Sequence, residues 1–343
     1  MEGEARLVAP QALPEEREER ALRPRSFDAF VGQPRVVNNL QTWIKAAQRA
    51  GRPLDHVLLT GPPGLGKTTL AHLIARSLDA RLVTTSGPVL EKISDLAGML
   101  VKLKRGDVLF VDEVHRMRTS VEEYLYSAME DCRIDVPIDD GIHARTLSVS
   151  LQRFTLVGAT TRAGLLTKPF RDRFGIQERL VTYAQEELEE IVRRSAKVLG
   201  VGIDDEAAAL VAGRARGTPR IANRLLARLR DVALADGAER IDARIAARGL
   251  RMLGIDAEGL EALDRQILAI LAESPYTPVG IKTLAVATGE EVGTIEDVYE
   301  PYLIVRGFVR KTARGRVLGP RGFALLGIEP RAAGDDPQGT LFP

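Results

Sequence analysis

A single cysteine, Cys132, occurs in the 343 residues, which excludes an intrachain disulfide and any cysteine-built metal cluster. Thiol scarcity of this kind suits a reducing compartment, so a cytoplasmic protein is expected. No run approaches the roughly 20 apolar residues that span a bilayer, and the first residues are acidic and mixed rather than signal-like, so no membrane association is expected. Excess charge is also missing: 48 basic residues against 47 acidic ones leave a formal net charge of +1. The molecule as a whole is therefore not a basic coat for nucleic acid, and any such contact must come from a local patch. Internal repeats are lacking too.

The remaining composition, 45 % apolar and 28 % charged, is that of an ordinary globular chain long enough for two or three domains. Its most informative stretch is Gly61-Pro-Pro-Gly64-Leu-Gly66-Lys67-Thr68, which fits G-x-x-x-x-G-K-[ST] at every position and stands between an apolar strand and a helix. Glycines let the backbone curl until its N–H groups converge on phosphate, and the following helix adds its positive end. Lys67 is expected to reach the β and γ phosphates of ATP. Thr68 supplies a hydroxyl to Mg2+, and Thr69 completes a nucleotide-binding set with Gly64, Gly66, Lys67 and Thr68.

From residue 56 onward, short apolar strands alternate with amphipathic helices: His56 to Thr60, Arg81 to Thr85, Asp107 to Val111 and Phe154 to Gly158. That alternation predicts a parallel, helix-covered sheet. After about residue 182, helices follow one another without strands, at 185–199, 204–215, 218–235 and 242–252, which predicts an all-helical domain. Beyond Gly254, helices near 258–273, 280–287 and 294–305 precede strands at 307–311 and 316–318, a winged-helix order. The expected domains are thus 21–182, 183–254 and 255–329. They are flanked by a disordered or loosely held extension at 1–20, with six Glu and three Arg, and by a flexible tail at 330–343.

Val108-Leu-Phe-Val-Asp112-Glu113 is an apolar strand ending in two acids, 45 residues beyond Lys67. Phosphoryl transfer needs positioning and charge neutralisation more than covalent chemistry, so Asp112 for the metal and Glu113 for the attacking water suffice. His115 is either a link from this site to another surface or a solvated loop histidine.

Three further stations match the sensor and arginine-finger positions of AAA+ ATPases: Gly158-Ala-Thr160-Thr161-Arg162, Arg171-Asp172-Arg173-Phe174 and Gly217-Thr-Pro219-Arg220. That resemblance implies that Thr161 reports the γ phosphate, that Arg220 closes the helical domain over the nucleotide, and that Arg173 reaches a neighbouring subunit's site. The last role requires a ring. The fold expected is therefore α/β: an AAA+ P-loop parallel-sheet domain, a small all-helical lid and a C-terminal winged helix.

More specifically, the chain closely resembles the RuvB family of bacterial Holliday-junction branch-migration motors from about Leu22 to Gly327. The resemblance is carried by Leu22-Arg-Pro, Phe30-Val-Gly-Gln, Leu54-Asp-His-Val-Leu-Leu, Thr85-Ser-Gly-Pro, Ala128-Met-Glu-Asp and Gly158-Ala-Thr-Thr-Arg-Ala-Gly-Leu-Leu. Arg171-Asp-Arg-Phe-Gly, Gly217-Thr-Pro-Arg-Ile-Ala-Asn-Arg and Thr294-Ile-Glu-Asp-Val-Tyr-Glu-Pro-Tyr-Leu extend it through the second and third domains. It implies an adenine pocket of Leu22, Arg23 and Tyr183 with Glu130, Asp131 and Cys132 nearby. It also implies a homohexameric ring on duplex DNA, loaded onto a four-way junction by RuvA and working beside RuvC.

Residues 133–149 alternate around an Asp-Gly pair at 140–141 and predict a hairpin projecting from the ATPase core. Its apolar Ile134, Val136, Ile138 and Ile142 are either core contacts or a partner surface, and in the resembling family this hairpin binds RuvA. Between Tyr302 and Arg321 stand six basic residues and no acid. Arg310, Lys311, Arg314 and Arg316, on a wing turning at Thr312-Ala-Arg314-Gly315, are expected to reach phosphate backbone without reading bases. Lysine at 311 carries the charge without the bidentate fork of arginine. The preceding helix is acidic (Glu290, Glu291, Glu296, Asp297, Glu300), which argues against its lying in a major groove. The closing Gln338-Gly-Thr-Leu341-Phe342 is similar to the peptides with which replication proteins dock on the sliding clamp; an inert terminus is the alternative.

These readings converge on an ATP-driven DNA translocase. One rival, a protein unfoldase, needs an aromatic-hydrophobic pore loop that is not identifiable and has no use for a basic winged helix. The other, an ATP-switched loader or scaffold, usually works in mixed assemblies, whereas here one chain carries every part of the site.

Overall fold

Strands β1 (Val57–Thr60), β2 (Leu82–Ser86) and β3 (Val108–Asp112) are followed by a hairpin, β4 (Arg133–Pro137) and β5 (Thr146–Ser150), and then by β6 (Thr155–Thr160) and β7 (Ile176–Arg179). In the computed structural model, which describes residues 14–137 and 146–329, β2-β3-β6-β1-β7 line up side by side. All four pairings in that sheet are parallel. Strand β6 is buried along its length and β3 along all but its last residue, as central strands covered on both faces must be. Chain order and strand order bring the carboxyl ends of β1, β3 and β6 together, and the phosphate loop and both acids of β3 emerge at that edge.

After α1 (Pro14–Leu22), the helices accompanying the sheet are α2 (Pro34–Arg49), α3 (Lys67–Ser77), α4 (Ile93–Leu100), α5 (Thr119–Asp131) and α6 (Lys168–Asp172). Leu58, Leu109, Val111, Leu125 and Leu156 form one continuous core with Phe170 and Phe174. The two phenylalanine rings meet edge to face at 5.2 Å.

Strand β7 is absent from the sequence expectation. Its Ile-Gln-Glu-Arg carries only one large apolar residue, and its inward-facing Glu178 is buried through a 2.8 Å bond from Asn39 Nδ2 and an ion pair with Arg35. A second difference lies at the N-terminus, where residues 14–22 are helical rather than loosely held: Arg230 donates to Glu18, and Arg220 stands 3.8 Å from Glu19. Residues 1–13 lie outside the described residues.

Contact density divides the chain after Asp242, so α7 (Gln185–Val198), α8 (Asp205–Arg214) and α9 (Pro219–Ala235) share a unit with the sheet. The local signals are clear: Asp204 caps α8 by accepting from Ala207 N at 2.7 Å, and Pro219 opens α9. These helices are not wholly without strands, since β8 (Gly202–Ile203) and β9 (Arg240–Ile241) pair in parallel over two residues.

The second unit contains α10 (Ala243–Met252), α11 (Ala262–Glu273), α12 (Ile281–Thr288) and α13 (Val292–Thr294), which runs through a π turn at Ile295–Tyr299 into α14 (Glu300–Val305). Pro301 lies one residue into α14 and supplies no N–H to the helical ladder, which is where the wider turn falls. Wing strands β10 (Val309–Thr312) and β11 (Gly315–Leu318) follow, closed by α15 (Pro320–Leu326). Val279 and Arg316 exchange backbone bonds of 2.8 Å, and a Cβ on Gly315 would lie 2.4 Å from the carbonyl oxygen of Val279. Only glycine admits this approach.

Candidate active site and nucleic-acid interface

Helix α3 begins at Lys67 with Gly66 as its N-cap, no side-chain cap and no acid in its first turn. Its leading amides are therefore left for a ligand, and the positive end of the helix is uncompensated, which makes this an anion site. Gly64, at φ +77°, presses the loop against the lid: a Cβ there would lie 2.7 Å from Thr218 Cγ2 and 3.0 Å from Arg220 Cβ. Lys67 is buried, and its Nζ donates to the carbonyls of Gly61 (2.7 Å) and Pro62 (2.8 Å). Burial lowers the ammonium's pKa, while the negative charges of Asp112 and Glu113 raise it. A cation so placed, at the mouth of a glycine loop, fits a polyphosphate.

Around this loop lies a cavity of about 660 Å³, lined by Gly64, Gly66, Lys67, Thr68 and Thr69, by Asp112 and Glu113, by Thr161, by Leu22, Arg23 and Tyr183, and by Arg220. Twelve residues singled out in the sequence are thus brought together. Tyr183 is fixed by donating to the carbonyl of Leu65 at 3.1 Å, and burial pushes its phenol pKa up. The cavity also takes Glu18, Glu19, Phe30, Arg194, Asn223 and Arg224, to which the sequence reading gave no role. Phe30, Asn223 and Arg224 fall within segments that carried the family resemblance, so a signal existed. Glu18 and Glu19 sit in a charge-rich stretch with no motif, and their signal was absent.

The acids of β3 are held in distinct ways. Asp112 Oδ1 accepts from Glu113 N at 2.9 Å, and Glu113 adopts φ +52°, a left-handed conformation uncommon for glutamate. His115 is buried rather than a solvated loop residue: its Nε2 lies 3.4 Å from Glu113 Oε2, and its Nδ1 lies 2.9 Å from Thr160 Oγ1. Thr160 Oγ1 also accepts from Arg162 N at 3.0 Å, so one hydroxyl ties the His115 ring to the backbone that follows β6.

Arg173, Glu130, Asp131 and Cys132 do not line this cavity. Glu130 and Asp131 end α5, and Cys132 caps it at φ +49°. Arg173 lies at the same end of the helix, with Glu130 Oε2 2.5 Å from its guanidinium, the Tyr126 hydroxyl as a second partner and the Tyr126 ring 4.6 Å away. The expected neighbourhood of 130–132 to the chain's own adenine pocket is therefore corrected. Of the three, Glu130 pairs with Arg173 instead.

The hairpin is present, with Ile134 opposite Val149 and Val136 opposite Leu147. Ile134 is a core residue, which removes it from any partner surface, whereas Leu147 is half exposed. Ile138, Ile142 and the Asp-Gly turn lie outside the described residues, as does the Gln338–Phe342 peptide.

On the wing, Arg310, Lys311 and Arg314 are exposed as expected. Arg316 departs from that expectation. Its side chain is only 8 % accessible, with Nε 2.5 Å from Glu300 Oε1 and Nη2 2.9 Å from Glu300 Oε2 and 3.0 Å from Glu296 Oε1. Alternation along β11 turns Arg316 inward, toward the acidic helix, and the backbone exchange with Val279 fixes it there. Removing one partner of such a buried pair costs about 3–5 kcal/mol.

Three family models match in sequence: the Holliday junction DNA helicase RuvB P-loop domain over residues 22–180, the RuvB AAA lid domain over 183–256 and the RuvB C-terminal winged helix domain over 257–327. The chain is 54 % identical over 338 residues to the Holliday junction branch migration complex subunit RuvB of Methanoregula boonei, covering 98 % of this chain and 99 % of that one. It is 52 % identical to the subunit of the same name from Myxococcus xanthus, covering 98 % and 97 %. Among solved structures it is similar to the Thermotoga maritima RuvB Holliday junction branch migration motor, with a TM-score of 0.82 and 47 % identity over 91 % of this chain and all of that one.

Proposed function

The chain belongs to the RuvB family, and from that premise we propose that it is an ATP-driven translocase that pumps duplex DNA to drive branch migration of Holliday junctions. The observation that carries this reading is the single cavity joining phosphate loop, paired acids, Thr161 and the lid residue Arg220, because hydrolysis there is mechanically linked to the lid.

Lys67 and the leading amides of α3 bind and orient the triphosphate of ATP. Thr68 and Asp112 offer two oxygens to Mg2+, the small protein share that a phosphate-bound magnesium takes, and the ion supplies charge neutralisation when bound. Glu113 orients the attacking water and accepts its proton as the γ phosphoryl leaves. Thr161 monitors that phosphoryl group, and Arg220 draws the lid toward it. Arg173, outside the chain's own cavity beside Glu130, acts on a neighbouring subunit's nucleotide in a closed homohexameric ring.

Arg310, Lys311 and Arg314 contact phosphate backbone on the wing, and Arg316 anchors the wing. The hairpin at 133–149 contacts RuvA, with RuvC acting at the same four-way junction. No helix among the described residues is long and apolar enough to cross a membrane. A duplex-DNA substrate places the site of action in the cytoplasm.

Branch migration of a synthetic four-way junction with ATP and RuvA tests the reading. Wild type moves the junction, and Glu113→Gln binds ATP without moving it. A wild-type chain that hydrolyses ATP and leaves the junction in place returns the choice to an ATP-switched loader.

A further inference from the structure

Arg173 is held by one corner. Its Nη2 donates to the hydroxyl of Tyr126 and stands 2.5 Å from Glu130 Oε2, while Nε and Nη1 have no hydrogen-bond partner among the described residues. The centre of the Tyr126 ring lies 4.6 Å from the guanidinium carbon, within the range of a cation–π contact. The arginine side chain is 36 % accessible, so its Nε and Nη1 donors are not consumed by the chain's own fold.

Both partners belong to α5, where Tyr126 and Glu130 stand four residues apart and share one face of the helix. That face is firmly placed, because Val121, Leu125, Ala128 and Met129 of the same helix are buried in the core and Tyr126 itself packs partly against it. The arginine is as well rooted: it caps α6, preceded by Phe170 and followed by Phe174, both buried in that core. Between these two fixed backbones only the long arginine side chain has rotamer freedom to lose.

The two holds differ in what they do to an incoming nucleotide. Glu130 offers a negative charge, which repels the phosphates an arginine finger has to meet. Tyr126 is neutral, with an oxygen that accepts from Nη2 and a ring that faces the cation, and neither competes with phosphate for Nε or Nη1. The tyrosine can therefore hold the guanidinium both before and during contact with phosphate.

We propose that Tyr126 is the positioning residue for Arg173: its hydroxyl and ring face together aim the guanidinium at the nucleotide of the next subunit. This rests on the reading that Arg173 acts across the subunit boundary. A transition-state contact misplaced by about 1 Å costs on the order of 10²-fold in rate, so aim is worth nearly as much as charge.

Mixed rings test this. Full-length Arg173→Ala chains, which keep their phosphate loop, are combined with Lys67→Ala chains, which keep Arg173, and steady-state ATP hydrolysis is followed on duplex DNA. Turnover recovered on mixing comes from the first chain's nucleotide and the second chain's arginine. Adding Tyr126→Ala to the Lys67→Ala donor is expected to lower the recovered kcat about 10²-fold with KM for ATP unchanged. Tyr126→Phe, which keeps the ring and loses the hydroxyl, is expected to lower it about tenfold. The donor's own nucleotide site is already disabled, so damage confined to that site does not register. Sedimentation and thermal melting of the Tyr126→Phe donor are expected to match those of the Lys67→Ala donor. A Tyr126→Phe donor that restores turnover in full overturns the proposal, and so does a Tyr126→Ala donor that does so. No recovery with the unaltered Lys67→Ala donor overturns the cross-subunit reading of Arg173, and the proposal with it.

Discussion

Glu113 and His115 face each other across one 3-10 turn, with His115 Nε2 3.4 Å from the Glu113 carboxylate and the ring's other nitrogen tied to Thr160 on the adjacent strand. The glutamate reaches this position only through a left-handed backbone, which costs on the order of 1 kcal/mol or more and persists because β3, β6 and the turn overdetermine it. Glu113→Gln should lower ATP turnover by about 10²–10⁴-fold, the usual worth of a general base. His115→Ala should lower it less and leave nucleotide affinity in place, since the histidine touches the glutamate rather than the cavity's phosphate loop. Single-turnover hydrolysis beside equilibrium binding of a fluorescent ATP analogue separates the two effects.

Arg173 is tied at 2.5 Å to Glu130 of its own chain. Arg173→Ala should therefore bind ATP normally yet lose a rate factor of about 10³–10⁵ if the guanidinium stabilises transition-state charge in the next subunit. Mixing that variant with Lys67→Ala chains measures the sharing of sites. Recovery of ATPase activity on mixing is expected, and its absence would place Arg173 on its own nucleotide.

Gly64→Ala adds a Cβ 2.7 Å from Thr218 Cγ2 at a φ of +77°. A loss of about 1 kcal/mol in stability is expected from the backbone alone, with weaker ATP binding as the loop and lid are pushed apart. Thr218→Ser, which removes the clashing methyl, should restore part of the binding but not the backbone cost. Thermal melting and ATP titration of the single and double variants check this.

His56 is buried as a neutral ring: its Nδ1 accepts from Leu156 N at 2.9 Å, and its Nε2 lies 3.4 Å from the carbonyl of Met129. Burial lowers its pKa below the ordinary 6.5, with the Met129 bond and Asp55 opposing more weakly. The unfolded chain then binds a proton that the folded chain refuses, so stability falls as pH drops below about 6.5. His72, which lies on an exposed face of α3, is lowered in the same direction by partial desolvation and then by Arg23 and Arg20. His56→Gln should flatten the loss of stability between about pH 6.5 and 5, as followed by urea unfolding at each pH.

Much of this molecule was legible because local chemistry and global fold agree. The phosphate loop, the Asp112-Glu113 strand end and the capped lid helices each carry short-range signals, and the folded chain adds only their convergence. Glu178 shows where reading failed: a charged residue on a strand with one large apolar side chain has no apolar pattern, and its burial depends on Asn39 and Arg35 from a helix some 140 positions earlier. Arg316 shows the other limit. A basic residue in a basic run reads as exposed, and only the pairing register of the wing, together with Glu296 and Glu300, turns it inward. Ile134 likewise needed the hairpin's root to be located before it could be placed in the core.

Helix α1 walls the cavity with Glu18 and Glu19 and is moored to α9 through Arg230 and Arg220. A chain shortened to begin at Leu22 would keep the phosphate loop, yet it would lose the carboxylates that hold the lid's Arg220 and Arg230. Such a protein is expected still to bind ATP but to release it faster, because Arg220 and Arg230 would lose the carboxylates they meet across the cavity wall.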